Sequence, residues 1–313
     1  MKDSAEVKEV NCELCGSSET VEVPHCRQYT NNQPIHICKK CGLVYFKYRR
    51  SPDEMAKHWE HVMFKTGEYT SHNPVFKSRH IFALEFIKES IGVKDKVIVD
   101  IGAGEGQFLD YCRKEGAKKV FGIESAKMNS ELLKVLNIDH FHGTIEAYTK
   151  AEISRDVFSP YADIVTIMWT LHASQSCVDM LTAAYDMLKD DGYVFIQMGS
   201  RVLVPFKKPL GTYFSTVLQD DTPYHFSINT LEGMLAKCNF KITNTNHYWD
   251  NDLLNILAQK RPKNENIEWQ PDDYREVEDY FERWHNESER MKKYVRILPL
   301  DYKLTKIHTF YDK

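Results

Sequence analysis

Four cysteines near the beginning of the chain have the spacing of metal ligands. They form two Cys-x-x-Cys pairs, Cys12 with Cys15 and Cys38 with Cys41, and a glycine follows each pair. A pair of this kind can present two thiolates on one side of a tight turn, so four sulfurs can surround one zinc ion. Because four thiolates leave no coordination position for water, we predict a structural zinc site rather than a catalytic one.

Three other side chains between the two pairs could replace one of these ligands: His25, Cys26 and His36. Each of them is also a common type of loop or packing residue, and we expect that role for them. The length of the chain and the pairing of the cysteines favour reduced thiols and a metal over disulfides.

A glycine-rich turn is the second group of residues that could do chemistry. Residues 97–101 form an apolar, strand-like segment, and glycines follow at positions 102, 104 and 106 before a helical segment begins. Glycine lets the backbone bend tightly and lets a ligand approach without interference from a Cβ atom. A dinucleotide site would require a further small residue where this chain has Gln107, so the pattern disfavours NAD.

Two carboxylates at strand ends indicate the kind of cofactor. Asp100, next to the glycine turn, could meet the amino group of a methionine moiety, and it would repel a pyrophosphate. Glu124 ends the second predicted strand, where a carboxylate can accept hydrogen bonds from both hydroxyls of a ribose. The two residues together predict a cofactor that contains an adenosine with an unphosphorylated ribose.

With its Asp-x-Gly-x-Gly-x-Gly turn and its acidic second strand end, the chain resembles the class I S-adenosylmethionine-dependent methyltransferases over about residues 75–260. The resemblance implies that the glycines line the methionine and ribose side, that Glu124 holds the ribose and that residues 144–146 flank the adenine. The cofactor-binding residues implied are Asp100, Gly102, Ala103, Gly104, Gly106, Glu124, Ser125, Thr144, Ile145, Glu146 and Trp169.

Two members of that set have an equally plain structural explanation. Glu146 could be a solvated carboxylate at the start of a helix rather than an adenine contact. Trp169 could be an aromatic side chain packed at a strand end rather than part of the wall of the methyl-transfer pocket.

A narrower resemblance depends on Cys-x-x-Cys-Gly-Leu-Val-Tyr-Phe at residues 38–46 and on the segment 224–231. Together they are similar to the zinc-binding sugar methyltransferases, which are best known as C-methyltransferases of nucleotide-linked keto-sugars. That family has a fuller His/Glu/Tyr cluster where this chain has residues 221–224, and it has a further nucleotide-binding domain for which the segment after Pro262 is too short. We therefore expect O-methylation of a sugar or glycan precursor at least as much as C-methylation.

The same resemblance implies the residues that carry methyl transfer. We predict that His225 is the general base, since imidazole, with a free pKa of about 6.5, suits that task near neutral pH. Tyr224 would orient the acceptor hydroxyl, and His172, after the fourth predicted strand, is the alternative base. Either histidine could instead be an ordinary hydrogen-bonded loop residue.

The elements that must position these residues begin at residue 96. Short apolar strands alternate with helical segments, which predicts a doubly wound, mainly parallel α/β sheet of seven strands with a Rossmann-like methyltransferase fold. The predicted strands are 97–101, 119–123, 139–142, 162–168, 193–198, 241–246 and 253–259.

The sequence predicts four parts of the chain. They are a zinc-binding module (10–48), a helical linker and cap (51–92), an S-adenosylmethionine-binding methyltransferase domain (93–262) and a helical extension (263–313). In the extension, apolar residues that include Val277, Phe281 and Trp284 mark one face of a long amphipathic helix. We expect this face to cover the core or to join a second copy of the chain in a homo-oligomer.

The composition narrows the class of protein. The chain has 313 residues, 42% of them hydrophobic, and 41 Lys and Arg against 45 Asp and Glu give a net charge of −4. We expect one large core with a small satellite domain and no general attraction to nucleic acid or to an anionic membrane. The first ten residues lack the apolar stretch of a signal peptide, and no apolar run is long enough to span a bilayer, so we expect a soluble cytoplasmic protein.

Three functions fit these patterns, and we favour methyl transfer to a small-molecule substrate that is a sugar or derives from one. An RNA base methyltransferase with a zinc module is the first alternative, but the nearby cations, Lys39, Lys40, Arg49 and Arg50, are more typical of a solvated face. No Asn/Asp-Pro-Pro-Tyr/Phe motif follows the fourth strand either. The second alternative, a non-enzymatic zinc-ribbon adaptor, is disfavoured by the intact glycine turn with Asp100 and Glu124.

Overall fold

The computed structural model describes most of the chain. The residues described are 8–30, 32–49, 51, 54, 57, 74–151, 161–199, 202–205, 209–217, 222–246 and 254–295. Most of the predicted linker between residues 51 and 73 therefore lies outside the described residues, as do the last eighteen positions of the predicted extension, 296–313.

Five short strands surround the four cysteines: β1 (Lys8–Glu9), β2 (Thr20–Glu22), β3 (His36–Cys38), β4 (Val44–Tyr45) and β5 (Tyr48–Arg49). Strand β1 pairs with β5, and β2, β3 and β4 form an antiparallel ladder in that order. All five strands have only two or three residues, too few to produce a clear alternation in the sequence.

Seven longer strands form the central sheet, and one two-residue strand, β11, lies between them in the chain. They are β6 (Val97–Ile101), β7 (Lys119–Glu124), β8 (Asp139–His142), β9 (Ala162–Met168), β10 (Leu188–Met198), β11 (Tyr224–His225), β12 (Phe240–Thr245) and β13 (Leu254–Lys260). The order in the sheet is β12-β13-β10-β9-β6-β7-β8. All neighbours pair in parallel except β13, which is antiparallel to both β10 and β12.

Eight helices are present in the described residues: α1 (Pro74–Ser90), α2 (Gln107–Lys114), α3 (Lys127–Val135), α4 (Ile145–Lys150), α5 (Cys177–Met187), α6 (Leu210–Val217), α7 (Ile228–Lys237) and α8 (Tyr274–Val295). Alternate residues of the strands face opposite helical layers, so Ile98 packs with α1, α2 and α3 whereas Val99 packs with α5 and α7. The predicted doubly wound, mainly parallel seven-stranded fold is therefore confirmed.

The cysteine-bearing segment is continuous with the rest of the molecule. Strand β11 pairs antiparallel with β4, with Tyr224 opposite Tyr45 and His225 opposite Val44. The second sheet therefore has the order β11-β4-β3-β2. Its edge strand β11 lies almost 180 residues after β4 in the chain. A segment with little core of its own is stabilised in this way by a strand that lies, in the chain, between two strands of the central sheet.

Helix α8 covers this second sheet. Its buried residues Val277 and Phe281 belong to one apolar cluster with Ile37 of β3, Val44 of β4 and Phe214 of α6. The predicted amphipathic helix is thus present, and its apolar face packs within the same chain. No helix among the described residues has both the length and the apolar character needed to cross a bilayer.

Candidate active site and metal centre

The turn between β6 and α2 leaves space for a ligand at the carboxyl edge of the sheet. Gly102 and Gly104 have φ angles of 79° and 55°, which are unfavourable for other residues. A Cβ atom on Gly102 would collide with the side chain of Thr170, whereas one on Gly104 would meet no atom within 4 Å. Packing therefore explains the first glycine, and the open space beside the second suits a bound cofactor.

Glu124, at the end of β7, holds this turn in place. Its carboxylate accepts the N–H groups of Gly104 and Ala126, each at 2.7 Å. Burial raises the pKa of Glu124, and the two N–H groups act in the opposite direction. Each oxygen retains acceptor capacity, so the carboxylate could also accept hydrogen bonds from ribose hydroxyls.

Asp100 lies inside β6, one residue before the turn, and is 1% exposed. Its carboxyl group accepts a hydrogen bond from Thr166 Oγ1 at 2.6 Å. Burial raises its pKa to about 7, and the nearby charge of Glu124 adds to this effect. A positively charged amino group bound next to Asp100 would favour the ionised form.

The residues predicted to flank adenine come just after β8. This strand pairs with β7, and His142 lies opposite Glu124. Thr144 caps α4 by accepting the N–H of Ala147 at 3.2 Å. Ile145 is buried, whereas Ser125 and Glu146 are half-buried. The structure thus brings this set together, and the contact of each residue with adenine stays a prediction.

Trp169 follows β9 at the same edge, with a φ of 58°. Its indole N–H donates to Gln197 Oε1 at 3.1 Å, and its backbone N–H donates to the Gln197 carbonyl at 2.7 Å. The guanidinium carbon of Arg79, from α1, lies 4.0 Å from the ring centroid. The sequence analysis did not identify Arg79 or Gln197, since neither belongs to a motif and both reach Trp169 from distant elements.

The two candidate bases are both buried. His225 has no exposed surface, and its Nδ1 lies 2.8 Å from the hydroxyl oxygen of Tyr213. His172 lies in a single 3₁₀ turn, Leu171–Ala173, and is 7% exposed. Within the part of the chain that the structure describes, Nε2 of His225 and Nδ1 of His172 have no hydrogen-bond partner.

Burial determines the charge of both rings. It lowers the pKa of His225 to about 3, with a contribution from the charge of His172, and it lowers the pKa of His172 to about 4. Both imidazoles are therefore neutral at pH 7, and each is a weaker base than the free imidazole, with a pKa of about 6.5, on which the predicted role was based. Tyr213 was not identified from the sequence, because α6 was not predicted.

Tyr224 faces the cysteine-bearing segment rather than an open space. It is fully buried, its hydroxyl donates to the Glu13 carboxylate, and its oxygen accepts a hydrogen bond from the Arg49 guanidinium. Burial raises its pKa well above the usual range. The hydroxyl is already bonded on both sides, and its role in orienting an acceptor stays a prediction.

The four predicted metal ligands lie together. All four sulfur atoms are within 4.8 Å of one another, with Cys12 and Cys41 at 3.6 Å and Cys15 and Cys38 at 3.4 Å. Sulfurs about 2.3 Å from a tetrahedral zinc ion would be about 3.8 Å apart, so the group needs little adjustment to hold one. Hydrogen bonds from neighbouring thiols lower the pKa of Cys38 to about 2 and raise that of Cys12 to about 12.

The three alternative ligands do not belong to this group of sulfur atoms. Cys26 lies near Glu22, at 3.6 Å, and accepts the Ile35 N–H at 3.5 Å. His25 pairs with Glu282 of α8 at 2.8 Å. Cys26 thus contacts residues of its own segment, and His25 contacts α8.

Residues 82–245, more than half of the chain, match a family model described as a methyltransferase domain. The chain belongs to this methyltransferase family. The match begins in α1 and ends with β12, so it includes the glycine turn, Asp100, Glu124 and both candidate bases.

Curated relatives of this methyltransferase include protein arginine N-methyltransferase 2 of Mus musculus. The two proteins are 27% identical over 164 residues, which are 51% of this chain and 36% of the mouse protein. The chain thus spans only about a third of the length of that relative.

Solved structures with a similar fold are S-adenosylmethionine-dependent methyltransferases. One, from Thermotoga maritima, is described as a possible histamine N-methyltransferase; it has a TM-score of 0.50 and 18% identity and covers 66% of this chain and 100% of its own. Another is the 1,6-didemethyltoxoflavin-N1-methyltransferase of Burkholderia thailandensis, which was solved with S-adenosylhomocysteine. Its TM-score is 0.50 and its sequence identity is 14%, and the match covers 71% of this chain and 96% of the Burkholderia chain. These likenesses support the fold of this methyltransferase.

The turn of this methyltransferase fits that cofactor by charge and by space. The open side of Gly104 would accommodate the ligand, Asp100 suits its amino group, and Glu124 suits its ribose. A dinucleotide would bring a pyrophosphate towards Asp100, whose negative charge opposes it.

Proposed function

We propose that this enzyme transfers the methyl group of S-adenosylmethionine to a sugar or a sugar-derived small molecule, at an oxygen or carbon atom. The observation that carries the proposal is the pairing of β11 with β4, because it places the strand with His225 on the four-cysteine module. The pairing also joins the two segments, 38–46 and 224–231, on which the resemblance to the zinc-binding sugar methyltransferases depends.

The cofactor supplies an electrophilic methyl group on a sulfonium. Asp100 would hold its amino group, Glu124 would hold its ribose, and Trp169 would form a wall of the pocket at the end of β9. Two tasks remain for the protein: it must align the acceptor with the methyl carbon, and it must remove one proton from the acceptor.

We propose that His225 removes this proton through Nε2. In the tautomer whose Nδ1–H donates to the Tyr213 oxygen, 2.8 Å away, the lone pair of Nε2 stays available. His172 is the alternative base, since its turn directly follows β9 and its ring influences the pKa of His225.

We also propose that Cys12, Cys15, Cys38 and Cys41 bind one structural zinc ion. The spacing of their sulfurs supports this, since four thiolates so close together require a compensating cation. The four parts predicted from the sequence are retained as our proposed domain division, although β11 and α8 both pack on the amino-terminal part.

A screen with labelled S-adenosylmethionine tests the acceptor class. Sugar nucleotides and glycans would be incubated with the enzyme beside bulk RNA and an arginine-rich protein, the latter because curated relatives are named arginine methyltransferases. We expect label in a carbohydrate arm. Label that enters only RNA, or only protein, would contradict the proposed function and identify the acceptor class instead.

A further inference from the structure

A buried ion pair joins the four-cysteine module to the methyltransferase domain. Glu13 lies inside the first cysteine pair, and Arg49 ends β5; Glu13 Oε1 and Arg49 Nη1 are 3.8 Å apart, with side chains that are 19% and 4% exposed. Removing two charges from water is costly unless hydrogen bonds satisfy them. The groups that provide those hydrogen bonds therefore indicate what the pair holds in place.

The Glu13 carboxylate bonds to two separate segments of the methyltransferase domain. It accepts the backbone N–H of Cys177, the first residue of α5, at 2.9 Å. It also accepts the hydroxyl of Tyr224 in β11. Cys177 lies five positions after His172, and Tyr224 directly precedes His225.

Arg49 contacts the same two segments. Its Nη1 donates to the carbonyl of Gln175 at 2.5 Å and to the Tyr224 oxygen, and its guanidinium carbon lies 4.3 Å from the Tyr224 ring centroid. Its Nε donates to the Phe46 carbonyl at 3.0 Å, which ties it to its own module. Both members of the ion pair thus bridge the two histidine-bearing segments.

We propose that Glu13 and Arg49 are positioning residues that hold residues 171–177 and β11 at a fixed separation and so couple the metal site to the acceptor side. This inference rests on the proposed function, because His172 and His225 are its candidate bases. Neither Glu13 nor Arg49 touches the predicted cofactor site, so their effect would be limited to the acceptor side.

The local backbone explains how the metal site would act through Glu13. The first cysteine pair forms a tight turn, in which the Gly16 N–H donates to the Cys12 carbonyl at 2.7 Å. Lys237 Nζ of α7 donates to the Glu13 carbonyl at 2.5 Å and so fixes the turn on the larger domain. A metal ion bound by Cys12 and Cys15 would hold the Glu13 backbone from both sides.

Strand β11 depends on this arrangement more than the central strands do. It has two residues, and its ladder partner is β4 of the module. A strand so short has little register specificity of its own, so the bonds from Tyr224 to Glu13 and Arg49 supply it. A change in the ion pair would therefore shift the His225 ring before it altered the central sheet.

NMR spectroscopy of the His172 and His225 imidazoles tests this proposal, and it needs no methyl acceptor. Glu13→Gln removes the charge and retains one oxygen acceptor, and Glu19→Gln is the matched control because Glu19 is an exposed residue of the same module. The imidazole ¹⁵N and ¹H resonances of His172 and His225 would be recorded in each variant. We expect both sets of resonances to shift in Glu13→Gln and to stay unchanged in Glu19→Gln.

Two further measurements separate positioning from general destabilisation. The affinity for S-adenosylhomocysteine is expected to stay within about twofold in Glu13→Gln, because the side-chain contacts described for Glu13 go to Arg49, Cys177 and Tyr224 and to no predicted cofactor-binding residue. The metal content per chain is expected to match that of the unmodified protein. If Glu13→Gln lost metal, Arg49→Lys would decide, since Arg49 lies outside both cysteine pairs and lysine lacks the planar guanidinium that reaches Phe46 through Nε and both Gln175 and Tyr224 through Nη1.

Unchanged imidazole resonances in Glu13→Gln, or in the deciding Arg49→Lys variant, would overturn the inference. Equal shifts in Glu13→Gln and Glu19→Gln would also overturn it, because they would show that any charge change in the module has the same effect. A failed carbohydrate screen would contradict the proposed function without altering these resonances, so the two failures are distinguishable.

Discussion

Asp100 links cofactor binding to pH. Because burial raises its pKa to about 7, this carboxyl group is close to half protonated at neutral pH before the cofactor binds. A bound amino group would favour the ionised form, so affinity for S-adenosylhomocysteine should increase as the pH rises from 6 to 7 and level off above it, with a change of up to about tenfold per pH unit below the pKa.

Titration calorimetry in buffers with different ionisation enthalpies measures the proton released in this step. Asp100→Asn, which keeps the hydrogen-bonding shape without the titration, is expected to bind with weak pH dependence. An affinity that is constant from pH 6 to pH 8 in the unmodified protein would contradict the contact between Asp100 and the amino group.

His225 should affect turnover without affecting cofactor affinity. His225→Gln is expected to lower turnover by roughly 100- to 10,000-fold, since general base catalysis contributes about that much. Because its pKa of about 3 keeps the ring neutral, we expect no loss of turnover from His225 protonation between pH 5 and 8. Steady-state kinetics with the acceptor identified in the screen measure both effects.

His172→Gln is the control for this prediction. Normal turnover in His225→Gln together with a large loss in His172→Gln would transfer the role of base to His172. Normal turnover in both variants would show that alignment of the acceptor alone is sufficient.

The residues that the sequence could identify are those whose chemistry is local. Asp100, the glycines and Glu124 lie at the ends of adjacent strands, where their types and spacing directly reflect their environment. Tyr213 could not be found in this way because it belongs to no motif and α6 was not predicted, and Glu13 could not because its partner Tyr224 lies 211 positions later in the chain. Only the folded structure brings Tyr213 to His225 and Glu13 to Tyr224.

At the scale of elements, α8 is expected to stabilise the second sheet. Phe281 has no exposed surface, and its ring stacks on that of Phe214 with centroids 6.0 Å apart. Phe281→Ala should lower the free energy of unfolding by about 3–5 kcal/mol, the usual cost of removing a buried phenylalanine. Met291→Ala on the same helix, at a position that is 47% exposed, should change it by less than about 0.5 kcal/mol.

Urea denaturation of the two variants measures this difference. An equal, small effect of both substitutions would mean that α8 does not contribute to the stability of the cysteine-bearing segment in solution.

The four-cysteine module is expected to hold one zinc ion per chain. Elemental analysis of protein purified without chelator should find it, and Cys38→Ser should lower the melting temperature, because metal binding supplies much of the folding energy of such a small module. Cys26→Ser is a useful comparison, since Cys26 lies outside the group of four sulfurs. A metal-free chain, or an unaltered melting curve for Cys38→Ser, would contradict the prediction.

The periodicity of the sequence predicted the central strands within one or two residues, except that β10 begins five positions earlier, at Leu188, with a register shift before Tyr193. It could not predict that β11 belongs to the second sheet. Two residues show no alternation, and their partner strand lies in a different part of the chain. The alternation of apolar residues within a strand is visible in the local sequence, whereas the choice of a distant partner strand depends on how the whole chain packs.

For the whole molecule, burial of histidines should make the fold sensitive to acid. Burial lowers the pKa of His80 and His172 to about 4 and that of His225 to about 3. Unfolded histidines have a pKa of about 6.5, so between pH 6.5 and pH 4 the unfolded chain binds protons that the folded chain does not. Stability should therefore be complete above pH 6.5 and fall as the pH decreases, by up to about 1.4 kcal/mol per pH unit for each histidine.

Protonation of Asp100 favours the folded state as the pH decreases, so it reduces the loss of stability that the histidines cause. Its pKa of about 7 means that the folded chain binds a proton that the unfolded chain releases down to a pH of about 4, so this one group offsets about one of the three histidines. Urea denaturation at pH 7, 6 and 5 measures the net slope, and His225→Gln should reduce it by about 1.4 kcal/mol per pH unit relative to the unmodified chain. An identical slope in this variant would show that His225 can be protonated in the folded protein, and therefore that its ring is accessible to water.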